Sequence, residues 1–290
     1  MNNIHLISFA DSSLHRTKRR FIHQAKEINV FCSIEVYDEG DISEVFYKKH
    51  SKILNKNVRG FGFWVWKYDL IFNKLLSLAD GEFLIYLDAG CHINNNGKNT
   101  LYDYLSLLNK ENKDLLFFKY DYSHTTVSGF DPVWSIEKYT KKDVLHFFDV
   151  YTDSEIRKAM ISAGGILIIK KSFKSLAFYE KMYDLALDNF YLFNDDINNE
   201  DSCLVAHRHD QSVISILALL NNNVIFKSGF EHWLPLNENL ETNWSLLRDF
   251  PFLAKRDLDL GLILNIKRKL AYIFRHDPFL IFRRIRRILK

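Results

Sequence analysis

Residues 82–90, E-F-L-I-Y-L-D-A-G, decide the fold of this chain. The run F-L-I-Y-L follows an Asp-Gly break and is too short for a typical helix, so it predicts a buried strand. Asp88 stands at the carboxyl end of that strand and is followed by two small residues. Ligands of open α/β sheets bind outside the carboxyl ends of the strands. This edge is therefore where we expect functional residues.

Strand-like and helix-like segments alternate along most of the chain. Further strands are predicted at residues 4–10, 33–39, 114–120, 162–171 and 223–227, and helices from about residue 13 and at 66–79, 99–110, 172–189 and 209–220. This alternation predicts an α/β fold with a mainly parallel sheet flanked by helices. We expect one globular domain over residues 1–264 and a separate tail over residues 265–290.

The composition disfavours several classes of protein. The 290 residues are 47% hydrophobic and include only 4 prolines, which argues against a disordered or linker-divided chain. The 3 cysteines are widely separated and form no C-x-x-C pair, so neither a disulfide framework nor a structural zinc site is expected. The first residues lack the pattern of a secretion signal, which predicts a cytoplasmic protein. Motifs of P-loop kinases, Rossmann dehydrogenases, zincins and α/β-hydrolases are absent from the sequence.

Residues 59–67, R-G-F-G-F-W-V-W-K, allow two interpretations. The density of aromatic residues is typical of a core. The Gly-x-Gly spacing and the flanking Arg59 and Lys67 are instead typical of a loop that contacts a ligand. Trp66 lies on the inward face of the helix that follows, so part of the segment belongs to the core. We therefore expect a junction between a loop and a helix.

Other polar segments accompany the predicted strands. Residues 207–211, H-R-H-D-Q, gather polar side chains at a helix start, where Asp210 could simply cap the helix. Residues 162–165, S-A-G-G, either allow close packing or leave room for a ligand. Arg16 follows the first strand and suits either phosphate or a solvated face. His232 follows the last strand, where it could bind metal or phosphate or simply be buried.

Four segments, in order and at similar spacing, resemble bacterial glycosyltransferases of the GT-A fold that build surface polysaccharides. They are R-G-F-G-F-W-V-W-K, L-I-Y-L-D-A-G-C-H-I-N, S-A-G-G-I-L-I-I-K and H-R-H-D-Q-S-V-I-S-I-L, and the resemblance extends over residues 4–236. It implies transfer of a sugar from a nucleotide-sugar donor to a hydroxyl of a glycan or glycolipid acceptor, in the synthesis of lipopolysaccharide or capsule.

The resemblance also implies roles for individual residues. It places Asp210 and Gln211 beside the donor sugar as catalytic residues. Asp210 would be the base of an inverting reaction, or either residue would stabilise an oxocarbenium-like centre in a retaining one. The donor-binding residues that it implies are Ser8, Arg16, Arg59, Gly62, Trp66, Lys67, Asp88, Ala89, Gly90, Gly164, Gly165 and His209. Mn²⁺ or Mg²⁺ would be held by Asp88 with His232, although only one Asp of the usual Asp-x-Asp pair is present.

The last 26 residues differ in charge from the rest. Residues 265–290 carry a net charge of +8 within a chain of net charge +3, so residues 1–264 carry −5. Apolar residues alternate with the basic ones, and Pro278 divides two short amphipathic helices. This pattern predicts a tail bound to the inner face of the cell membrane, with packing on the body as the alternative. The acidic body disfavours nucleic acid as a partner.

Two further functions compete with glycosyl transfer. A non-catalytic protein that binds sugar nucleotides or polysaccharide is suggested by the missing second Asp. A metal-dependent phosphoesterase would use His5, His207, His209 and His232, and the lack of an accompanying acidic cluster disfavours it.

Overall fold

The computed structural model describes residues 3–122, 133–197, 200–234 and 242–258, so the predicted tail lies outside the described residues. The strands are β1 (Ile4–Phe9), β2 (Ser33–Tyr37), β3 (Phe83–Leu87), β4 (His92–Ile93), β5 (Leu115–Lys119), β6 (Ile166–Lys170), β7 (Val224–Ser228) and β8 (Phe252–Leu253). The helices are α1 (His15–Glu27), α2 (Glu44–His50), α3 (Gly60–Phe63), α4 (Trp66–Leu76), α5 (Lys98–Lys110), α6 (Ile136–Tyr139), α7 (Lys142–Phe147), α8 (Ser154–Lys158), α9 (Phe173–Asp188) and α10 (Asp210–Leu219).

A six-stranded sheet with the order β2-β1-β3-β6-β5-β7 forms the centre of the molecule. β1 pairs in parallel with β2 and β3, and β5 pairs in parallel with β7. β6 runs antiparallel to both of its neighbours. β3 is buried along its whole length, as expected for an apolar strand covered on both faces. The prediction of a mainly parallel α/β sheet flanked by helices is confirmed, with one reversed strand.

The reversed direction of β6 brings its first residues to the edge where the parallel strands end. Leu87 at the end of β3 pairs with Ile166 at the start of β6. Directly beyond this pair, the Asp88 N–H donates to the Gly165 carbonyl at 2.9 Å. Residues 162–165 therefore lie beside the carboxylate that follows β3. A parallel strand would have placed them at the opposite edge of the sheet.

The short element α3 begins a left-handed turn. Its backbone φ angles, continued through the next residue, are 59° at Gly60, 55° at Phe61, 97° at Gly62, 56° at Phe63 and 61° at Trp64. Each residue other than glycine costs about 1–2 kcal/mol in this conformation. A Cβ at Gly60 would lie 2.4 Å from the Trp64 ring, so glycine lets this ring lie against the backbone. The predicted junction of loop and helix is confirmed, and its backbone is strained.

The chain returns to the sheet edge after residue 242. β8 pairs antiparallel with β4, and the Asp257 N–H donates to the Gly90 carbonyl at 3.0 Å. Arg20 on α1 donates to the Asp257 carbonyl at 2.9 Å and to the Ala89 carbonyl at 2.7 Å. These contacts hold residues 254–258 beside the residues that follow β3.

Candidate functional site

A cavity of about 530 Å³ opens where β1 and β3 end and β6 begins. The first turns of α4 and α10 also contribute to its wall. Twelve residues singled out from the sequence line it, namely Arg59, Trp66, Lys67, Asp88, Ala89, Gly90, Gly164, Gly165, His209, Asp210, Gln211 and His232. The functional residues expected at the carboxyl edge of the sheet are thus brought together around one space.

The three other residues of the predicted donor site are not among the residues that line this cavity, and their role in donor binding stays a prediction. Ser8 is fully buried within β1, where its hydroxyl donates to the Leu87 carbonyl at 2.6 Å, because the strand continues to Phe9. Arg16 is exposed on α1. Gly62 is buried in the left-handed turn, where a Cβ would lie 3.1 Å from the Leu54 side chain.

The ammonium group of Lys67 is the electrostatic centre of the site. Lys67 is only 1% exposed, and its Nζ donates to Asp210 Oδ2 at 2.6 Å and to the Gly164 carbonyl at 2.8 Å. Asp88 Oδ1 lies 3.7 Å from the same nitrogen. One buried cation therefore joins the first turn of α4 to the first residue of α10. Its charge is already balanced by a carboxylate, and its contact with a donor phosphate stays a prediction.

The ionisation of the Asp210–Lys67 pair follows from its burial. Burial raises the pKa of Asp210 to about 6, although the nearby Lys67 ammonium acts to lower it. Burial also acts to lower the pKa of Lys67, but the charges of Asp210 and Asp88 outweigh it and the pKa is raised. At neutral pH the carboxyl group is therefore mainly ionised and the amine is protonated.

Two glycines make room for the two carboxylates. A Cβ at Gly165 would lie 2.5 Å from Asp88 Oδ2, and a Cβ at Gly164 would lie 3.2 Å from Asp210 Oδ2. The Asp88 side chain is 41% exposed, and the Tyr86 hydroxyl donates to its Oδ1 at 2.8 Å. Asp88 is thus the more exposed of the two lining carboxylates, while Asp210 is 5% exposed and bonded to Lys67.

Gln211 is oriented by the segment before β6. Its Nε2 donates to the Ser162 carbonyl at 2.7 Å. Because the amide nitrogen is used in this way, the amide oxygen is the atom that remains to face a ligand. The Ser215 hydroxyl, one turn further along α10, accepts from the Ser162 N–H at 2.8 Å and fixes the same segment.

His232 lines the cavity with two unsatisfied nitrogens. The residue is 1% exposed, and neither ring nitrogen has a hydrogen-bond partner within the described residues. Burial, with a contribution from Arg256, lowers the pKa of His232 to about 3, so the imidazole is neutral. Asp88 and His232 face the same space. Within the described ranges, however, no group of three His, Cys, Asp or Glu side chains is placed to hold a metal ion. A metal ion held by Asp88 and His232 would therefore need further ligands, such as oxygens of the donor diphosphate.

Of the other histidines of the alternative phosphoesterase, His209 lines the cavity, while His5 and His207 are not among its lining residues. His207 Nε2 bonds to the Leu192 carbonyl at 2.9 Å, and His209 Nδ1 bonds to the Phe193 carbonyl at 2.8 Å. His5 lies at the start of β1, where its Nδ1 is 2.8 Å from the Ser33 hydroxyl. The phosphoesterase, already disfavoured by the sequence, gains no support from this arrangement of the described histidines.

Several cavity residues were not predicted, and Arg208 is the most informative. Its guanidinium lies 4.9 Å from the centre of the Trp134 ring and 5.2 Å from that of Tyr139. Arg256 and Trp64 also line the space. The sequence signal for Arg208 was its position between two histidines. In an extended segment, alternation sends the middle side chain to the face opposite its neighbours.

No protein-family model matches the sequence, and no curated protein matches it. Among solved structures the chain is similar to a glycosyltransferase involved in the glycosylation of the major capsid of PBCV-1, at 12% identity and a TM-score of 0.43 over 87% of this chain and 93% of that chain. It is similar to mouse xyloside xylosyltransferase 1 at 10% identity and a TM-score of 0.41, covering 78% and 84% of the two chains. It is also similar to the galactosyltransferase LgtC in complex with donor and acceptor sugar analogs, at 14% identity and a TM-score of 0.40, covering 85% and 82%.

The Lys67–Asp210 pair predicts a pH-dependent loss of stability. Lys67→Met leaves a buried carboxylate without its partner, so we expect a loss of about 3–5 kcal/mol at pH 8. The loss is smaller at pH 5, where Asp210 takes up a proton and becomes neutral. Urea unfolding at both pH values measures the two losses. In a double-mutant cycle with Asp210→Asn, the combined loss is smaller than the sum of the single losses.

Lys49→Met is the control for this experiment. Lys49 pairs with Asp188 on the surface, where both side chains are about half exposed. Its loss is expected to be about 0–1 kcal/mol. A Lys67→Met loss as small as this at pH 8 would contradict the assignment of Lys67 as a structural cation.

Proposed function

We propose that this protein is a GT-A glycosyltransferase that moves a sugar from a nucleotide-sugar donor to a hydroxyl group of a glycan or glycolipid. The observation that carries the proposal is the arrangement of Asp88, Asp210 and Gln211 around one cavity, beside two glycines that admit them. These residues belong to the segments whose sequence resembles bacterial enzymes of that fold. A cavity of this size, with a few convergent polar groups, is typical of a small-molecule site.

The reaction breaks the bond between the anomeric carbon and the donor phosphate oxygen. The nucleoside diphosphate leaves with the electron pair of that bond, and the acceptor hydroxyl oxygen forms the new bond to the anomeric carbon. The hydroxyl proton passes to a base. In an inverting reaction a carboxylate such as Asp210 accepts this proton. In a retaining reaction the Gln211 amide oxygen or the Asp210 carboxylate stabilises the positive charge that develops on the sugar.

Of the aromatic side chains in the segment 59–67, some pack in the core and others line the cavity. Trp66 stacks on Phe9 with ring centroids 3.9 Å apart, and its Nε1 donates to the Gly60 carbonyl at 2.9 Å. Trp66 is therefore committed to packing. Phe61 and Trp64, both only partly buried, are the rings that remain for a nucleotide base. The strained turn supports this role, because it holds bulky side chains where an ordinary helix would not.

A non-catalytic sugar-nucleotide-binding protein is the second candidate. It is favoured by one observation: the described residues offer no complete set of metal ligands beside Asp88. Such a protein would bind the nucleotide sugar without breaking the bond between the sugar and the phosphate.

We further propose that the acceptor lies on the inner face of the cell membrane. The Thr17 hydroxyl donates to the carbonyl of Leu258, and Leu258 itself lines the cavity. The basic segment 265–290 begins only seven residues later in the sequence. Anchoring of that segment on anionic lipid would keep the cavity close to membrane-bound acceptors. No helix within the described ranges is long and apolar enough to cross a bilayer.

A screen of nucleotide sugars tests the transferase proposal. At least one donor is expected to raise the melting temperature, and the same donor releases nucleoside diphosphate when a glycan acceptor is added. Asp88→Asn is expected to lower this release by about 100-fold or more, because it removes the accessible carboxylate. The screen is run with and without Mn²⁺.

Asp80→Asn serves as the control, since Asp80 is an exposed carboxylate in a turn outside the cavity. It should keep full turnover. Donor binding without turnover across a broad acceptor panel would favour the non-catalytic candidate. Full turnover in Asp88→Asn would contradict the site.

Vesicle flotation tests the membrane proposal. The full chain is expected to float with vesicles that contain anionic lipid and to be released by high salt. Replacing the four arginines of the last eight residues, Arg283, Arg284, Arg286 and Arg287, by glutamine should reduce flotation at least 10-fold. Equal flotation of this variant and the unaltered chain would refute electrostatic binding through the tail.

A further inference from the structure

Arg208 lines the cavity, and no carboxylate of the described residues forms an ion pair with it. Its Nε is buried and has no hydrogen-bond partner, and within the described residues its guanidinium forms no ion pair. The rings of Trp134 and Tyr139 lie against the cation at 4.9 and 5.2 Å. Such contacts stabilise the positive charge through the ring faces. The in-plane N–H groups of the guanidinium have no acceptor among the described residues.

The backbone around Arg208 is held on both sides. The Arg208 N–H donates to the Tyr139 carbonyl at 3.1 Å. The flanking rings of His207 and His209 bond to backbone carbonyls at 2.9 and 2.8 Å. The guanidinium therefore belongs to a fixed part of the wall. A buried charge without a partner destabilises the folded protein, and binding of an anion would remove this destabilisation.

Charged side chains of both signs line the cavity. Asp88 and Asp210 lie beside Lys67, whose charge Asp210 balances. Arg59, another lining cation, lies 3.6 Å from Asp195. Burial, together with the charge of Arg256, lowers the pKa of Arg208. Arg208 is thus a lining cation for which the described residues supply no carboxylate partner.

We propose that Arg208 binds the diphosphate of the donor directly, in the role that the resemblance assigned to a metal ion. This inference rests on the proposed transferase function and adds a residue to it. The planar fork of a guanidinium matches two phosphate oxygens and forms charge-assisted hydrogen bonds with them. A nucleotide sugar fits the polarity of the cavity, because its diphosphate meets the arginines while its sugar hydroxyls meet the carboxylates. The positive charge also stabilises the leaving diphosphate as the bond to the sugar breaks.

Titration calorimetry of the full chain with inorganic pyrophosphate, in the presence of EDTA, tests this inference. The unaltered chain is expected to bind pyrophosphate without added metal. Arg208→Gln should weaken binding at least 10-fold, and Arg208→Lys should bind with intermediate affinity, because it keeps the charge and loses the fork. Arg19→Gln, which changes an exposed arginine of α1 that does not line the cavity, should bind like the unaltered chain.

Thermal melting separates this role from a structural one. Arg208→Gln is expected to melt no lower than the unaltered chain without ligand, since it removes an unbalanced charge, and to lose the rise in melting temperature that pyrophosphate gives. Unchanged pyrophosphate binding in Arg208→Gln would overturn the inference. So would binding by the unaltered chain that requires Mn²⁺ and disappears in EDTA.

The two proposals fail in different ways. If no nucleotide sugar is cleaved or transferred while pyrophosphate binding still depends on Arg208, the anion site stands and the transferase function falls. If sugar is transferred and both binding and turnover survive in Arg208→Gln, the transferase function stands and the role of Arg208 falls.

Discussion

The buried contact between Lys67 and Asp210 is the interaction on which the site depends. It crosses from α4 to α10, residues 143 positions apart, and includes the Gly164 carbonyl of the segment before β6. Three parts of the chain thus meet at one ammonium group. The cation allows Asp210 to remain mainly ionised at neutral pH in a buried position. Lys67 therefore holds the two carboxylates of the cavity in place. An anionic ligand would then be bound by other cations.

Two departures from regular geometry make this arrangement possible. The reversed strand β6 carries its leading glycines to the edge where β3 ends, so that Asp88 and Gly165 become neighbours. The left-handed turn before α4 separates two tryptophans that are close in sequence: Trp66 packs on Phe9, and Trp64 lines the cavity. The reversed strand interrupts the parallel sheet, and the left-handed turn costs conformational free energy. Both features shape the same cavity. Strain concentrated at a site in this way is common in functional regions.

The sequence predicted the edge of the sheet and most of the residues around it. Apolar runs show where strands end, and ligands of open α/β sheets bind at the carboxyl ends of the strands. It failed where a residue's role depends on a distant partner. Lys67 looked like a free cation, since the carboxylate that neutralises it lies far away in the sequence. Ser8 came into the donor site through the resemblance alone, whereas the structure buries it within β1. Arg208 was overlooked between two histidines that attracted attention as possible ligands, yet both are occupied by backbone carbonyls.

The central claim is that this cavity binds a nucleotide-sugar donor with its diphosphate at the arginines and its sugar at the carboxylates. A crystal structure of the full chain with the nucleotide sugar that raises its melting temperature most is the most direct test. We expect phosphate oxygens within hydrogen-bond distance of the Arg208 guanidinium and sugar hydroxyls within hydrogen-bond distance of Asp88. A donor bound outside this cavity, or bound within it in the reverse direction, would contradict this assignment.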